Sequence, residues 1–365
     1  MRVAFLGDLT FFGRYDIDNL SKGYFQNISD FLNTFDLVVA NLEAPFVDKF
    51  SGKSNKSAVI YSNPESIELL KRLNVGAVCL ANNHIFDFGL NGLKKTISVL
   101  DKNNIQWFGI NNKSLYYETE KFSLHGFCSY NTNPIGINFS SKYFLNPTHY
   151  SDVMKCVEND VSNNFLSIIC NHSGIENILC PSLDDIEFAR HISTISDYVY
   201  IGHHPHVIQG SEVFNNSYIT YSLGNFCFDD IYDERTGQLL VKQSEENKHG
   251  LIKTFEIENG KVISSSEFIC FQGVDEFEIK EKNYAHKLLA DEIIKDINID
   301  YSENRTCLIK GTNKKRNSSR NLSWFLSRLS ISTLIRVFQR RLNTYKYNKY
   351  FSSKIPRKNY AKHSI

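Results

Sequence analysis

Tyr198-Val199-Tyr200-Ile201-Gly202-His203-His204-Pro205-His206 is an apolar run that stops at three imidazoles within four positions. The first four residues have the β-branched and aromatic character of a buried strand. The three rings do not belong in a core, because each brings a donor and an acceptor that need partners. Spacing of the type His204-x-His206 suits two neighbouring metal ions, since alternate residues of an extended segment diverge toward adjacent cations. The alternative is a solvated His-rich loop.

The same pattern recurs along the chain. Candidate strands at 2–7, 36–41, 76–81, 122–129, 165–171, 197–202 and 218–223, with an antiparallel pair near 250–272, alternate with amphipathic helical stretches. One such stretch carries Leu90, Leu93, Ile97 and Leu100, and another carries Phe188, Ile192 and Ile195. This alternation is the signature of a layered α/β domain. Asp8 follows the first strand, Asn41 and Glu43 the second, Asn82-Asn83-His84 the third, His172 the strand at 165–171, and His203 to His206 the strand at 197–202. Ligands of open α/β sheets bind beyond the carboxyl ends of the strands, so five such ends point to one converging site.

Each residue type has a reason to be there. Asp8 and Glu43 are the carboxylates that two close divalent ions need between them to offset their repulsion. Asn83 offers a neutral amide oxygen, and His172 extends the nitrogen and oxygen donor set. His84 is placed to protonate a leaving oxygen, with Asp87 orienting its ring. Singly, each also fits a blander role: a surface acid, a turn asparagine or a structural histidine.

The stretches FLGDLTFFGR (5–14), ANLEAPF (40–46), LANNHIFDFGLNGLKKT (80–96), NHSG (171–174) and IGHHPHVIQGSEVFNNSYITYSLGNFCFD (201–229) occur in a fixed order over most of the first 230 residues. In that order they resemble the bacterial capsule-synthesis, or poly-γ-glutamate-synthesis (CapA-type), family within the calcineurin-like metallophosphoesterase superfamily. The resemblance implies an α/β four-layer αββα metallophosphoesterase-like sandwich with a dinuclear metal site for manganese, iron or zinc. On that basis Asp8 is a ligand of the first metal and Glu43 the bridge. Asn83 and His172 hold the second metal, and His204 and His206 are divided between the two. His84 acts on the substrate oxygen. Arg14, His203 and Asn225 match family positions and are candidates for substrate binding; a surface salt bridge is the alternative for Arg14 and a capped turn for Asn225.

Three positions depart from the wider superfamily. Asp8-Leu9-Thr10 replaces an Asp-x-His, Asn41-Leu42-Glu43 stands where a Gly-Asp bridge is usual, which leaves the bridge open to either Asn41 or Glu43, and the acid beside the Asn-His pair is displaced to Asp87. The capsule-synthesis group shares these changes. The expected function is a metal-dependent hydrolase of a phosphoester or related anionic linkage in surface-polymer biosynthesis. The other reading is a non-catalytic metal- or polymer-binding component of a synthesis or export complex.

The net charge of +1 conceals a division, because all 40 acidic residues lie at or before Glu303 while sixteen of the 41 basic ones follow it. Residues 1–275 are assigned to the metallophosphoesterase-type domain, 276–310 to a helical segment and 311–365 to a basic tail, with a polar linker at 310–321. In the tail, Leu322, Phe325, Leu326, Leu329, Ile331, Leu334, Ile335, Phe338 and Leu342 form an apolar stripe, with Arg328, Arg336, Arg340 and Arg341 among them. Such a helix reads as an element for a membrane surface or membrane-bound complex, or as one packed on the protein's own acidic body. An acidic body argues against nucleic acid as partner. The scattered cysteines read as reduced thiols, and the expected location is cytoplasmic, at the inner face of the membrane.

Overall fold

The computed structural model describes residues 1–21, 23–48, 58–137, 142–233, 237–280, 285–295, 297, 300–317 and 331–356. Strand β1 (Arg2–Leu9) is followed by α1 (Gln26–Leu32), β2 (Leu37–Leu42), α2 (Ile67–Arg72), β3 (Val75–Cys79), α3 (Gly89–Lys102) and β4 (Gln106–Phe108). The four strands pair in parallel in the order β1-β2-β3-β4, so every crossover steps the same way. Right-handed crossovers then place the three helices on one face of the sheet.

A second sheet repeats the device with β5 (Leu115–Tyr117), β6 (Phe122–Cys128), α4 (Tyr150–Ser162), β7 (Leu166–His172), α5 (Leu183–Ile192), β8 (Tyr198–His203), β9 (Ser211–Phe214) and β10 (Ser217–Thr220). Its order is β5-β6-β7-β8-β10-β9. The side-chain alternation of these strands builds two cores. Leu124, Ile168, Val199 and Ile201 join the core of the first sheet, whereas Phe127, Ile169, Tyr198 and Tyr200 pack with Val157 and Phe188 of the helices. Helices, sheet, sheet, helices: this is the four-layer αββα sandwich expected from the sequence.

Strand β11 (Asn225–Cys227) returns to pair with β1. After the ribbon of β12 (Ile231–Tyr232) and β13 (Leu239–Val241), the strands β14 (His249–Glu258), β15 (Lys261–Gln272) and β16 (Phe277–Lys280) extend the first sheet antiparallel beyond β1. The first sheet therefore runs past residue 275. Helices α6 (Ala285–Lys295) and α7 (Tyr301–Asn317) follow, and α7 occupies part of the stretch expected as a linker. Ile195 lies beyond α5 and is exposed.

The last helix, α8 (Ile331–Tyr350), is turned opposite to its sequence pattern. Asn343 is buried, Tyr347 donates its hydroxyl to Asp184 at 3.0 Å, and Phe351 just beyond packs on Phe188. The apolar stripe of Leu334, Ile335, Phe338 and Leu342 instead faces solvent, with Leu334 68% and Phe338 70% exposed. Leu322, Phe325, Leu326, Arg328 and Leu329 lie outside the described residues. Among the described residues, no helix is long and apolar enough to cross a membrane.

Candidate metal centre

The two sheets meet with the carboxyl ends of β1, β2, β3, β7 and β8 together. Register does the first part of the assembly: Asp8 lies opposite Asn41 on β2 and Asn225 on β11, and His172 lies opposite His203 in the second sheet. Residues as far apart in sequence as Asp8 and Asn225 thereby become neighbours. The amide nitrogen of Asn41 donates to Asp8 Oδ1 at 2.8 Å, and the backbone N–H of His204 donates to Asp8 Oδ2 at 3.1 Å.

The loop after β8 holds its rings at a conformational cost. His204 and His206 both adopt left-handed backbone, with φ of 95° and 58°. A non-glycine residue in such a region costs about 1–3 kcal/mol and persists only when its surroundings impose it. Here Asn177 N–H donates to the Pro205 carbonyl at 2.8 Å, and the Asn247 amide donates to the His206 carbonyl at 2.7 Å.

Two groups of donors result. The ligand-capable atoms of Glu43, His172 and His204 lie within 4.8 Å of one another, and so do those of Asp8, Glu43 and His206. Glu43 belongs to both. Its Oε1 is 3.7 Å from His172 Nε2 and 3.9 Å from His206 Nε2. Asn83 adds an amide oxygen 3.0 Å from His172 Nε2.

The electrostatics suit a cation. Burial, with the neighbouring His204, holds His172 well below the usual imidazole range, and burial pushes His204 down to about 3, so both rings keep their lone pairs. The buried Nδ1 of His204 has no hydrogen-bond partner among the described residues. Burial also acts against a charge on His206, but Glu43 and Asp8 outweigh it and raise its pKa to about 10. Asp8 is held well below the usual carboxylate range: burial opposes this, and hydrogen bonds from His203 and His206 prevail. A proton on His206 thus occupies a place between two carboxylates that a divalent ion would fill. Nitrogen and oxygen donors of this kind fit a borderline or hard divalent metal.

The sequence-derived ligands Asp8, Glu43, Asn83, His172, His204 and His206 all lie in this cluster. His84 borders it, with Nε2 4.0 Å from Glu43 Oε1 and Nδ1 2.6 Å from Asp87 Oδ2. Other candidates stand elsewhere. Buried His203 points its Nδ1 at Asp8 Oδ1, 3.2 Å away, and buried Asn225 accepts from His206 Nδ1 at 2.9 Å. Both sit behind the donors, where they orient them. The Arg14 guanidinium meets the Tyr15 hydroxyl and the carbonyls of Gln272 and Gly273, away from the cleft lining. Thr10, at the histidine position of the superfamily pattern, donates to the Cys227 carbonyl. Asn41 is committed to Asp8, which leaves Glu43 as the shared carboxylate.

A cleft of about 290 Å3 opens over the centre, lined by Asn83, His84 and His206 and also by Glu176, Lys242 and residues of α8. Sequence reasoning missed these last contributors. Glu176, four residues beyond His172, carried a proximity signal; Lys242 carried none.

Comparison with known proteins places this geometry in a family. Residues 2–230 match the model of the family described as bacterial capsule synthesis protein PGA_cap. The chain is 27% identical over 257 residues to the PGA biosynthesis protein CapA of Bacillus subtilis (strain 168), a match covering 66% of this chain and 67% of that protein. It is 25% identical over 238 residues to the capsule biosynthesis protein CapA of Bacillus anthracis, covering 60% of this chain and 56% of that one. A solved putative 5'-nucleotidase from Staphylococcus aureus is similar with a TM-score of 0.42 and 11% identity, over 81% of this chain and 58% of that one. With well over half of its length inside the family match, the chain belongs to the bacterial capsule synthesis protein PGA_cap family.

Proposed function

We propose that the chain is a metal-dependent hydrolase of a phosphoester or related anionic linkage, acting in synthesis of a capsule, polysaccharide or poly-γ-glutamate surface polymer. The observation that carries this reading is Glu43, a buried carboxylate common to two donor groups built from Asp8 and His206 on one side and His172 and His204 on the other. Two divalent ions, of manganese, iron or zinc, fit that arrangement. Bound there, they would neutralise developing charge and lower the pKa of water toward neutrality.

The chain's own groups supply the rest. His84 presents Nε2 beside the cluster and lines the cleft, where it donates a proton to the leaving oxygen. Asp87, fully buried, holds the opposite ring nitrogen and so fixes the direction of that proton. Asn225 and His203 keep His206 and Asp8 in place. The test is turnover of a model phosphodiester by manganese-loaded protein: His84→Ala and His206→Ala should each abolish most of it, and undiminished turnover in either would refute the assignment.

One observation favours the non-catalytic reading, a metal- or polymer-binding component of a synthesis complex. Thr10 turns to a backbone carbonyl, so the first donor group lacks the additional imidazole of the superfamily pattern. Bound metal without turnover on any phosphoester would select it. The exposed apolar side of α8, bordered by the exposed Arg341, supports a peripheral position at a membrane surface.

A further inference from the structure

Helix α8 lies beyond the matched residues 2–230, and the direction of its polar side calls for an explanation. Thr333, Arg336, Arg340, Asn343 and Tyr347 recur at alternating intervals of three and four, which puts them on one side of the helix. That side faces the body. Tyr347 and Asn343 anchor its carboxyl-terminal half, as described above, and Lys346 lies over the Tyr130 ring. Arg336 and Arg340, one and two turns earlier, enter the lining of the same cleft that exposes Asn83, His84 and His206.

Arg336 is half-buried and Arg340 exposed at the cleft, while the apolar side of the same helix meets water. Among the described residues neither guanidinium is paired with a carboxylate; Arg336 donates only to the Thr333 hydroxyl, at 3.0 Å. Lys242 adds a third cation to the lining, against the single carboxylate of Glu176 among its described residues. The outer side of the cleft is therefore predominantly cationic, a few side chains away from the candidate metal centre.

We propose that Arg336 and Arg340 form a clamp for the anionic segment of the substrate that lies beyond the bond placed at the metal centre, making α8 the outer wall of the active site. The inference deepens the hydrolase reading and rests on it for the word substrate. Guanidinium forks bind phosphate or carboxylate oxygens in pairs, so the ligand class is an oligoanion, with phosphate groups or γ-linked glutamate carboxylates as its two sources. A cleft of about 290 Å3 takes a short charged end of such a molecule, not an extended polymer.

The experiment measures binding, not activity. Metal-free full-length protein is titrated calorimetrically with inorganic pyrophosphate and, separately, with tri-γ-glutamate. At least one probe should bind, and the Arg336→Gln/Arg340→Gln double variant should weaken that binding about tenfold or more. The Arg336→Lys/Arg340→Lys variant should fall between, since it keeps the charge and loses the fork. Which probe binds identifies the anion source. Separately loaded with manganese, the double variant should take up as much metal as the unsubstituted protein, so failure of the clamp is distinguishable from failure of the metal centre. If the double variant does not fold, Arg340→Gln alone serves, because that side chain is exposed. No binding of either probe, or affinity indifferent to the arginines, overturns the clamp.

Discussion

The side-chain oxygen of Asn83 lies 3.0 Å from Nε2 of His172, although the two residues are 89 positions apart. The contact joins the loop after β3 to the end of β7 and aligns an amide oxygen and an imidazole nitrogen on one point. Asn83→Ala and His172→Ala should each lower metal affinity about tenfold or more. Elemental analysis after dialysis against a fixed metal concentration reads the effect; full occupancy in both variants would show that the contact is only structural.

Gly202, at the end of β8, allows the chain leaving the neighbouring strand β10 of the same sheet to pass close by just before the His-rich loop. A Cβ at that position would stand 1.8 Å from the Tyr221 carbonyl oxygen, a backbone atom that has nowhere to go. Gly202→Ala should therefore destabilise the fold by about 1–3 kcal/mol and displace His203 and His204 with it. Chemical denaturation combined with metal analysis would detect both effects. A variant as stable as the parent would mean that the backbone shifts without cost.

Away from the centre, His125 Nε2 lies 2.7 Å from Asp160 Oδ2, in a fully buried pair. Burial alone would remove the proton from His125, but the bond to Asp160 prevails and raises its pKa from 6.5 to about 9. Asp160 moves below its ordinary 3.8; burial opposes the shift, and His125 decides it. The raised histidine contributes stability that is complete below pH 6.5 and is lost as pH rises through about 9. The depressed carboxylate contributes stability present above pH 3.8 and lost as pH falls. Melting temperature should accordingly fall between pH 6.5 and 9.5. Asp160→Asn should cost about 3–5 kcal/mol near neutrality and flatten that slope. An unaltered slope in the variant would assign the pH dependence to other groups.

The outward stripe of α8 makes a prediction about surfaces. Sedimentation with vesicles containing anionic lipid should carry down the full-length chain, and Leu334→Asp/Phe338→Asp should reduce the bound fraction severalfold. Both side chains are exposed, so the double variant should keep its melting temperature. Equal binding by parent and variant would exclude the stripe as the contact.

Much of this architecture was legible beforehand because it is written locally. The runs at 2–7, 36–41, 165–171 and 197–202 became strands within one or two residues, since continuous apolar character over six residues has few other uses in a layered α/β chain. The three-residue strands β4, β5, β11 and β13 were not legible: their pairing energy comes from neighbours already in place, and no periodicity develops over three residues. The direction of α8 was also hidden. Its pattern identified an amphipathic helix but could not say that the polar side would face the body.

What the amino-acid sequence determined by itself was the set of chemical donors and their position at strand ends, because side-chain chemistry and apolar periodicity are properties of short segments. Only the tertiary structure decided the division of labour among them. Asp8 accepts from the backbone of His204 across 196 residues, His203 and Asn225 stand behind other donors, Arg14 is turned away, and Arg336 and Arg340 close the cleft. Those relations depend on strand order, register and the approach of two sheets, and no local stretch of chain contains them.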